Sequence, residues 1–255
     1  MKIHVVPVLS KEEVAEKTFV LKFESSDLAR LTRPGQFLNI RVDDSLSPLL
    51  RRPFSVARVE GSAVELIFNI VGRGTRILAE KRIGDELDVL GPLGIAFRVE
   101  GDFETAVIVA GGVGVAPFPI LTDWLTKAEK NVETFLGARS AAHLVFHHLK
   151  NVHSATDDGS RGFHGTVVQL LDQYLNEHPI RKPKIFACGP TAMLKAVSIF
   201  AKRKGIRGEL SLEGEMGCGI GICQGCPVER TSGEKKYALV CTDGPTFDSS
   251  DIALS

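Results

Sequence analysis

A chain of 255 residues that is 44% hydrophobic and 24% charged can bury a sizeable core and reads as about two globular domains. Its 31 basic and 31 acidic residues cancel, which removes any argument for nucleic acid or an anionic membrane as the main partner. The opening MKIHVVPVLS has no apolar leader and no apolar run is long enough to cross a bilayer, so a cytoplasmic setting with reduced thiols is expected.

Three textures follow one another. From residue 1 to about 100, β-rich runs at 19–23, 37–42 and 64–70 are separated by Pro, Gly and Asp turns, which predicts a small antiparallel barrel. Inside it, Leu50-Arg51-Arg52-Pro53-Phe54-Ser55-Val56 sets a guanidinium beside an aromatic ring and a hydroxyl. Arg52 can pair with a pyrophosphate, Phe54 can pack on a ring system and Ser55 can hydrogen-bond a ring nitrogen. Gly72-Arg73-Gly74-Thr75 then opens a helix, where backbone N–H groups and the Thr75 hydroxyl suit a phosphate. Each motif alone reads as an ordinary strand or helix start; together they favour a flavin cofactor.

From 101 to 210 strands alternate with helices. Strands are expected at 106–110, 134–137, 152–155 and 184–188, and helices at 167–175 and 191–204, the pattern of a Rossmann-like, doubly wound parallel sheet. Gly111-Gly112-Val113-Gly114 joins the first of these strands to a helix over 117–129, where a dinucleotide pyrophosphate would sit. The run departs from G-x-G-x-x-G and lacks the acidic residue that goes with it. Cys188-Gly189-Pro190 ends a later strand on the same sheet edge. Cys188 reads as a small buried residue, with a second reading that places it and Glu213 near a flavin–nicotinamide junction. Arg139 and Ser140 could accept a ribose 2′-phosphate or simply lie in solvent. His143, His147 and His148 fall on one expected helix and read as solvated surface rather than metal ligands.

From 211 to 255 the chain carries Cys218, Cys223, Cys226 and Cys241, a Cys-x4-Cys-x2-Cys loop followed by a distant cysteine. That is plant-type spacing for a 2Fe-2S cluster, whereas zinc sites space their cysteines as two short pairs. The tail is too short to bury much core without metal, and two hairpin-like segments are expected in it.

The combination of Arg52-Pro53-Phe54-Ser55, Gly111-Gly112-Val113-Gly114-Val115-Ala116-Pro117 and Cys188-Gly189-Pro190 resembles the ferredoxin reductase superfamily. The stretches 88–94, 155–160, 191–197 and Cys241-Thr242-Asp243-Gly244-Pro245-Thr246-Phe247 narrow the resemblance to the electron transfer subunits of NAD-dependent dihydroorotate dehydrogenases. It spans nearly the whole chain. It implies FAD between barrel and nucleotide domain, the cluster on the tail and NAD as electron partner. It also implies an FMN-containing catalytic subunit, in a heterotetramer with two copies of each chain, serving pyrimidine biosynthesis. Residue by residue it puts Arg52, Pro53, Phe54, Ser55, Ile67, Phe68, Asn69, Gly74 and Thr75 against FAD. The family often has an aliphatic residue at Phe54 and a glycine at Ala110. Alternatives are a related flavin and iron-sulfur subunit of a hydrogenase or of a sulfide- or ferredoxin-linked complex, and a non-catalytic zinc module.

Overall fold

The computed structural model describes residues 2–43 and 45–254. Alternating burial, the mark of strands with one face to a core, runs through its N-terminal strands: β1 (Lys2–Ala15), β2 (Thr18–Glu24), β3 (Phe37–Arg41), β4 (Arg52–Glu60), β5 (Ala63–Asn69) and β6 (Glu86–Leu93). They close into an antiparallel barrel in the order β1-β2-β5-β4-β3-β6, and closure leaves no unpaired edge. Phe23, Leu38, Ile40, Val56 and Leu66 fill its interior. Helix α1 (Ser26–Leu31) starts on a Ser25 side-chain cap, and α2 (Arg73–Glu80) follows β5.

The second part is a seven-stranded sheet built from β7 (Thr105–Gly111), β8 (Asn131–Ala138), β9 (Val152–Thr156), β10 (Phe163–His164), β11 (Pro183–Cys188) and β12 (Arg207–Ser211), all parallel, plus one further strand. Between the strands run α3 (Phe118–Lys127), α4 (Val167–Glu177) and α5 (Thr191–Lys204). Continuous burial along β7 explains why the run 106–110 is apolar without alternation: helices or barrel cover both faces. The tail forms one small hairpin, β13 (Pro227–Glu229) with β14 (Tyr237–Leu239). Its other segment, β15 (Thr246–Asp248), differs from the expected second hairpin. It pairs antiparallel with β12 and becomes the edge strand of the nucleotide sheet.

A buried ion pair fixes the passage from barrel to sheet. Lys184 Nζ reaches Glu209 Oε1 at 2.7 Å and the Arg98 carbonyl at 2.6 Å, while Glu209 Oε2 accepts from the Arg98 amide. Both side chains are about nine-tenths or more buried, and the ammonium lies over the Phe103 and Phe186 rings. Lys184→Ala leaves the buried Glu209 carboxylate with only the solvent-exposed Arg98 guanidinium at 3.5 Å as a cationic partner and is expected to lower unfolding free energy by about 3 kcal/mol, whereas Lys184→Met with Glu209→Leu costs far less. Denaturant unfolding of the three proteins checks the ordering.

The second tie between the two parts is Glu65 on β5, only 2% exposed, whose Oε2 meets His147 Nε2 at 2.7 Å. His147 and His148 do not continue a helix as expected. A short 3-10 turn ends at His143, and the chain then leaves helical geometry so that His147 can face the barrel. Burial pushes the Glu65 carboxyl up, but hydrogen bonds from His147 and Lys22 outweigh it and hold it at about 2. A carboxyl depressed below its ordinary 4.5 contributes stability above that value and loses it as pH falls toward about 2. Glu65→Gln is therefore expected to flatten the acid limb of a stability-against-pH curve across that window.

Candidate functional site

The cysteines converge although their loop is nearly all turn. Amides of Cys223 and Ile220 approach Cys218 Sγ at 3.4 Å and hold that thiol down at about 6. Cys226 and Cys241 are buried, with Sγ atoms 3.3 Å apart and no disulfide. Burial and the Cys226 thiol push Cys241 up to about 11, and Cys218 adds to the effect, so thiols from the loop and the lone position feel one another. Cys223 is exposed, beside Ile222, which is 77% exposed. Four thiols gathered from one loop and one later segment, with N–H groups aimed at sulfur, fit the donor set of a 2Fe-2S cluster.

What seats this loop is Asn39, a polar residue in the otherwise apolar Phe37-Leu38-Asn39-Ile40 of β3, and sequence reasoning missed it. It is 1% exposed, and its Nδ2 donates to the Cys218 carbonyl at 3.0 Å. Gly219, at φ +72°, lies so close that a side chain would strike the Asn39 amide. Asn39 is the register partner of Pro53, so the cysteine loop rests on the strand next to the flavin motif. The only signal in the sequence was one amide in an apolar strand.

The flavin motif divides by side. Arg51, adjacent to Arg52 and identical to it, is consumed by a two-oxygen contact with Asp88 at 2.8 and 2.9 Å. Arg52 touches only the Leu50 and Arg51 carbonyls among its described contacts and has no carboxylate partner there. Its Nε lies where a Cβ on Gly74 would come within 3.2 Å, so the guanidinium and the start of α2 share one cradle. Thr75 Oγ1 accepts from the Val71 and Gly72 amides and tightens that helix start. Pro53 and Ser55 are half-buried, but Phe54 turns into the barrel and meets Phe68 edge-on at 5.7 Å. Its ring is thus packed by protein, and Phe68 is buried with it. Ile67 faces the other way, into the core shared with the sheet, and Asn69 Oδ1 accepts from Thr18 at 2.8 Å.

The two glycine loops meet. Cys188 is level with Ala110 in the parallel register, so both loops leave the same sheet edge. At Gly114 a Cβ would overlap the Cys188 carbonyl, and one at Gly111 would come within 2.9 Å of Pro190. Gly112, at φ +55°, stays exposed. Burial and the Glu213 carboxylate push the Cys188 thiol well above its usual range, so it is a neutral thiol and no nucleophile. Glu213 lines a cavity of about 270 Å³ with Gly189, Pro190, Thr191 and Cys226, and partial removal from bulk water raises its own carboxyl. Arg139 is exposed beyond β8, and Ser140 Oγ is engaged by His143 Nδ1 at 2.8 Å.

Barrel, parallel sheet and cysteine loop in this arrangement define a ferredoxin reductase-like flavoprotein with an iron-sulfur module. Residues 213–253 match the iron-sulfur cluster binding domain of dihydroorotate dehydrogenase B. The electron transfer subunit of dihydroorotate dehydrogenase B (NAD(+)) from Desulforamulus reducens is 36% identical over 97% of both chains, and that from Shouchella clausii is 38% identical over 97% of this chain and 96% of its own. Among solved structures, an NADH-dependent reduced ferredoxin-NADP oxidoreductase superposes with TM-score 0.87 at 29% identity, over 98% of this chain and 90% of that one. A ferredoxin NADP+ reductase from Neisseria gonorrhoeae, at TM-score 0.66 and 16% identity over 80% of this chain and 92% of its own, shares the fold. The chain belongs to the family of dihydroorotate dehydrogenase B electron transfer subunits. It is an oxidoreductase subunit whose carriers are FAD, a 2Fe-2S cluster and NAD.

Among the described residues no helix is long and apolar enough to cross a membrane. Gly219→Val is expected to lift the cysteine loop off Asn39 and to weaken iron retention about tenfold or more, as changes next to metal ligands do. Iron per flavin in the purified protein reads the effect, with flavin content unchanged.

Proposed function

We propose that this chain passes electrons between NAD and the catalytic subunit of a dihydroorotate dehydrogenase, and that the catalytic subunit holds FMN. The observation that carries the reading is the seat of the cysteine loop on Asn39, one strand from the Arg52-Pro53-Phe54-Ser55 run, because it sets an electron entrance and an electron exit side by side. When bound, FAD supplies the chemistry that links a nicotinamide hydride to the single electrons of an iron-sulfur cluster.

The chain's own residues divide the work. Arg52, free of any carboxylate among the described residues, meets the flavin pyrophosphate together with Gly74 and the helix start that Thr75 caps. Backbone groups of Pro53 and Phe54 and the Ser55 hydroxyl line the flavin, with Ile67, Phe68 and Asn69 behind them in the barrel wall. Gly111, Gly112 and Gly114 bring backbone close to the dinucleotide pyrophosphate of NAD. The relatives' names specify NAD(+), and with Arg139 exposed beyond β8 as a solvated loop residue we take NAD over NADP. Cys188 fills the strand end as an uncharged thiol, and Glu213 borders the crevice. Cys218, Cys223, Cys226 and Cys241 hold the iron. The exposed Cys223 and Ile222 face the catalytic subunit, in a cytoplasmic heterotetramer with two copies of each chain.

The likeness to the reduced ferredoxin-NADP oxidoreductase keeps a ferredoxin-linked complex as the second reading, because the fold alone does not choose the substrate at the far end. Isolation with the natural partner separates them. An FMN-containing partner and dihydroorotate-dependent reduction of NAD support the first reading; a ferredoxin-coupled partner without dihydroorotate oxidation overturns it. In the same complex Cys223→Ala is expected to remove the cluster's optical and paramagnetic signals and to abolish transfer from the partner. Reduction of FAD by NADH should survive.

A further inference from the structure

Glu65, His147 and His148 place their donor atoms within 4.8 Å of one another, where the barrel meets the sheet. Their assembly is deliberate in the backbone. Glu65 is held on β5 between its register partners Lys22 of β2 and Arg58 of β4. Successive side chains of an extended chain point apart, but His148 sits at φ +49°, and both imidazoles turn to the same side with ring centres 4.3 Å apart. The carboxylate divides its two oxygens. Lys22 at 2.9 Å and Arg58 at 3.9 Å are both on Oε1, while Oε2 is left to His147.

Charge favours a cation here despite those two neighbours. Arg58 is shared with Glu60 and Asp123 at 3.2 Å each, and Lys22 also reaches Glu60 at 3.4 Å. Three carboxylates therefore face two permanent cations, leaving one negative charge in excess. Glu65 is already compensated through Oε1, so two histidines on its other side exceed what burial of one carboxylate requires. His148 is exposed and gives an entry path.

We propose that Glu65 Oε2, His147 and His148 bind one divalent transition metal, Zn2+ by the chemistry of two imidazoles and a carboxylate, with solvent completing the set. A tetrahedral site with bonds of about 2.0–2.1 Å spaces its donors about 3.4 Å apart, so small rotations of His147 and His148 close the present arrangement. Lys22 would remain on Oε1 as the partner that orients the carboxylate. The metal would fasten the barrel to the nucleotide-binding sheet.

The test uses the complete complex with its flavins and cluster loaded, dialysed against Zn2+ and then desalted. One zinc beyond the cluster iron is expected, and X-ray absorption at the zinc edge should show only nitrogen and oxygen neighbours at about 2.0–2.1 Å. In His148→Ala, a change at an exposed residue that leaves the fold intact, zinc affinity should fall by more than the roughly 10–100-fold typical of an outer-shell change. His147→Gln should do the same. Absence of a stoichiometric zinc overturns the proposal, as does unchanged affinity in His148→Ala. Sulfur neighbours at about 2.3 Å would overturn it too, by placing the zinc at the cysteines instead.

Discussion

The bond from the Asn39 side chain to the Cys218 carbonyl is the contact on which the rest of the redox architecture depends. A buried amide N–H group needs an acceptor, and its natural partners in a barrel wall would be backbone groups of its own sheet. Here it reaches instead across 179 residues of sequence to a loop with almost no regular structure. That loop cannot supply its own core, and it takes its position from the barrel. Electron transfer then needs little from the protein beyond placement, because the oxidation and reduction belong to the carriers.

The tail uses the same economy at its other end. Thr246 Oγ1 donates toward the Ile95 and Ala96 carbonyls, Ile95 N donates to the Gly244 carbonyl at 2.6 Å, and Leu212 N donates to the Pro245 carbonyl at 2.9 Å. The segment after Cys241 is thus clamped between the end of the barrel and the last parallel strand. Ala238, Val240, Cys226 and Cys241 join the core that contains Val107, Ile185 and Leu210. The cluster module shares a core with the nucleotide sheet and has none of its own, which answers how so short a piece stays ordered.

Much of this was legible in the sequence wherever the signal is local. Helix α5 runs over the expected 191–204, because its apolar pattern and the Gly205 stop in the left-handed conformation are both chain-local. The spacing of three cysteines within nine residues is of the same kind. Legibility failed where a distant partner decides. Two neighbouring arginines differ only because Asp88 takes one of them, and no pattern near Arg51 says so. The side to which Phe54 points is set by its register partner Leu38 and by packing on Phe68. Three-residue β15 carries too little periodicity to announce a sheet, and the His147 segment abandons its helical pattern for a buried carboxylate 82 residues earlier.

The antiparallel strand at the sheet edge also orders events in time. Synthesis runs from the barrel toward the tail, so the first three cysteines leave the ribosome before Cys241, and β15 comes after them all. Until that last strand lies beside β12, the segment that carries Cys241 is held only by its own hairpin and core contacts and lacks its clamp to the sheet edge. A nascent chain that has not yet made β15 therefore lacks one wall around its thiols, and lasting enclosure of iron waits until the sheet has closed its edge.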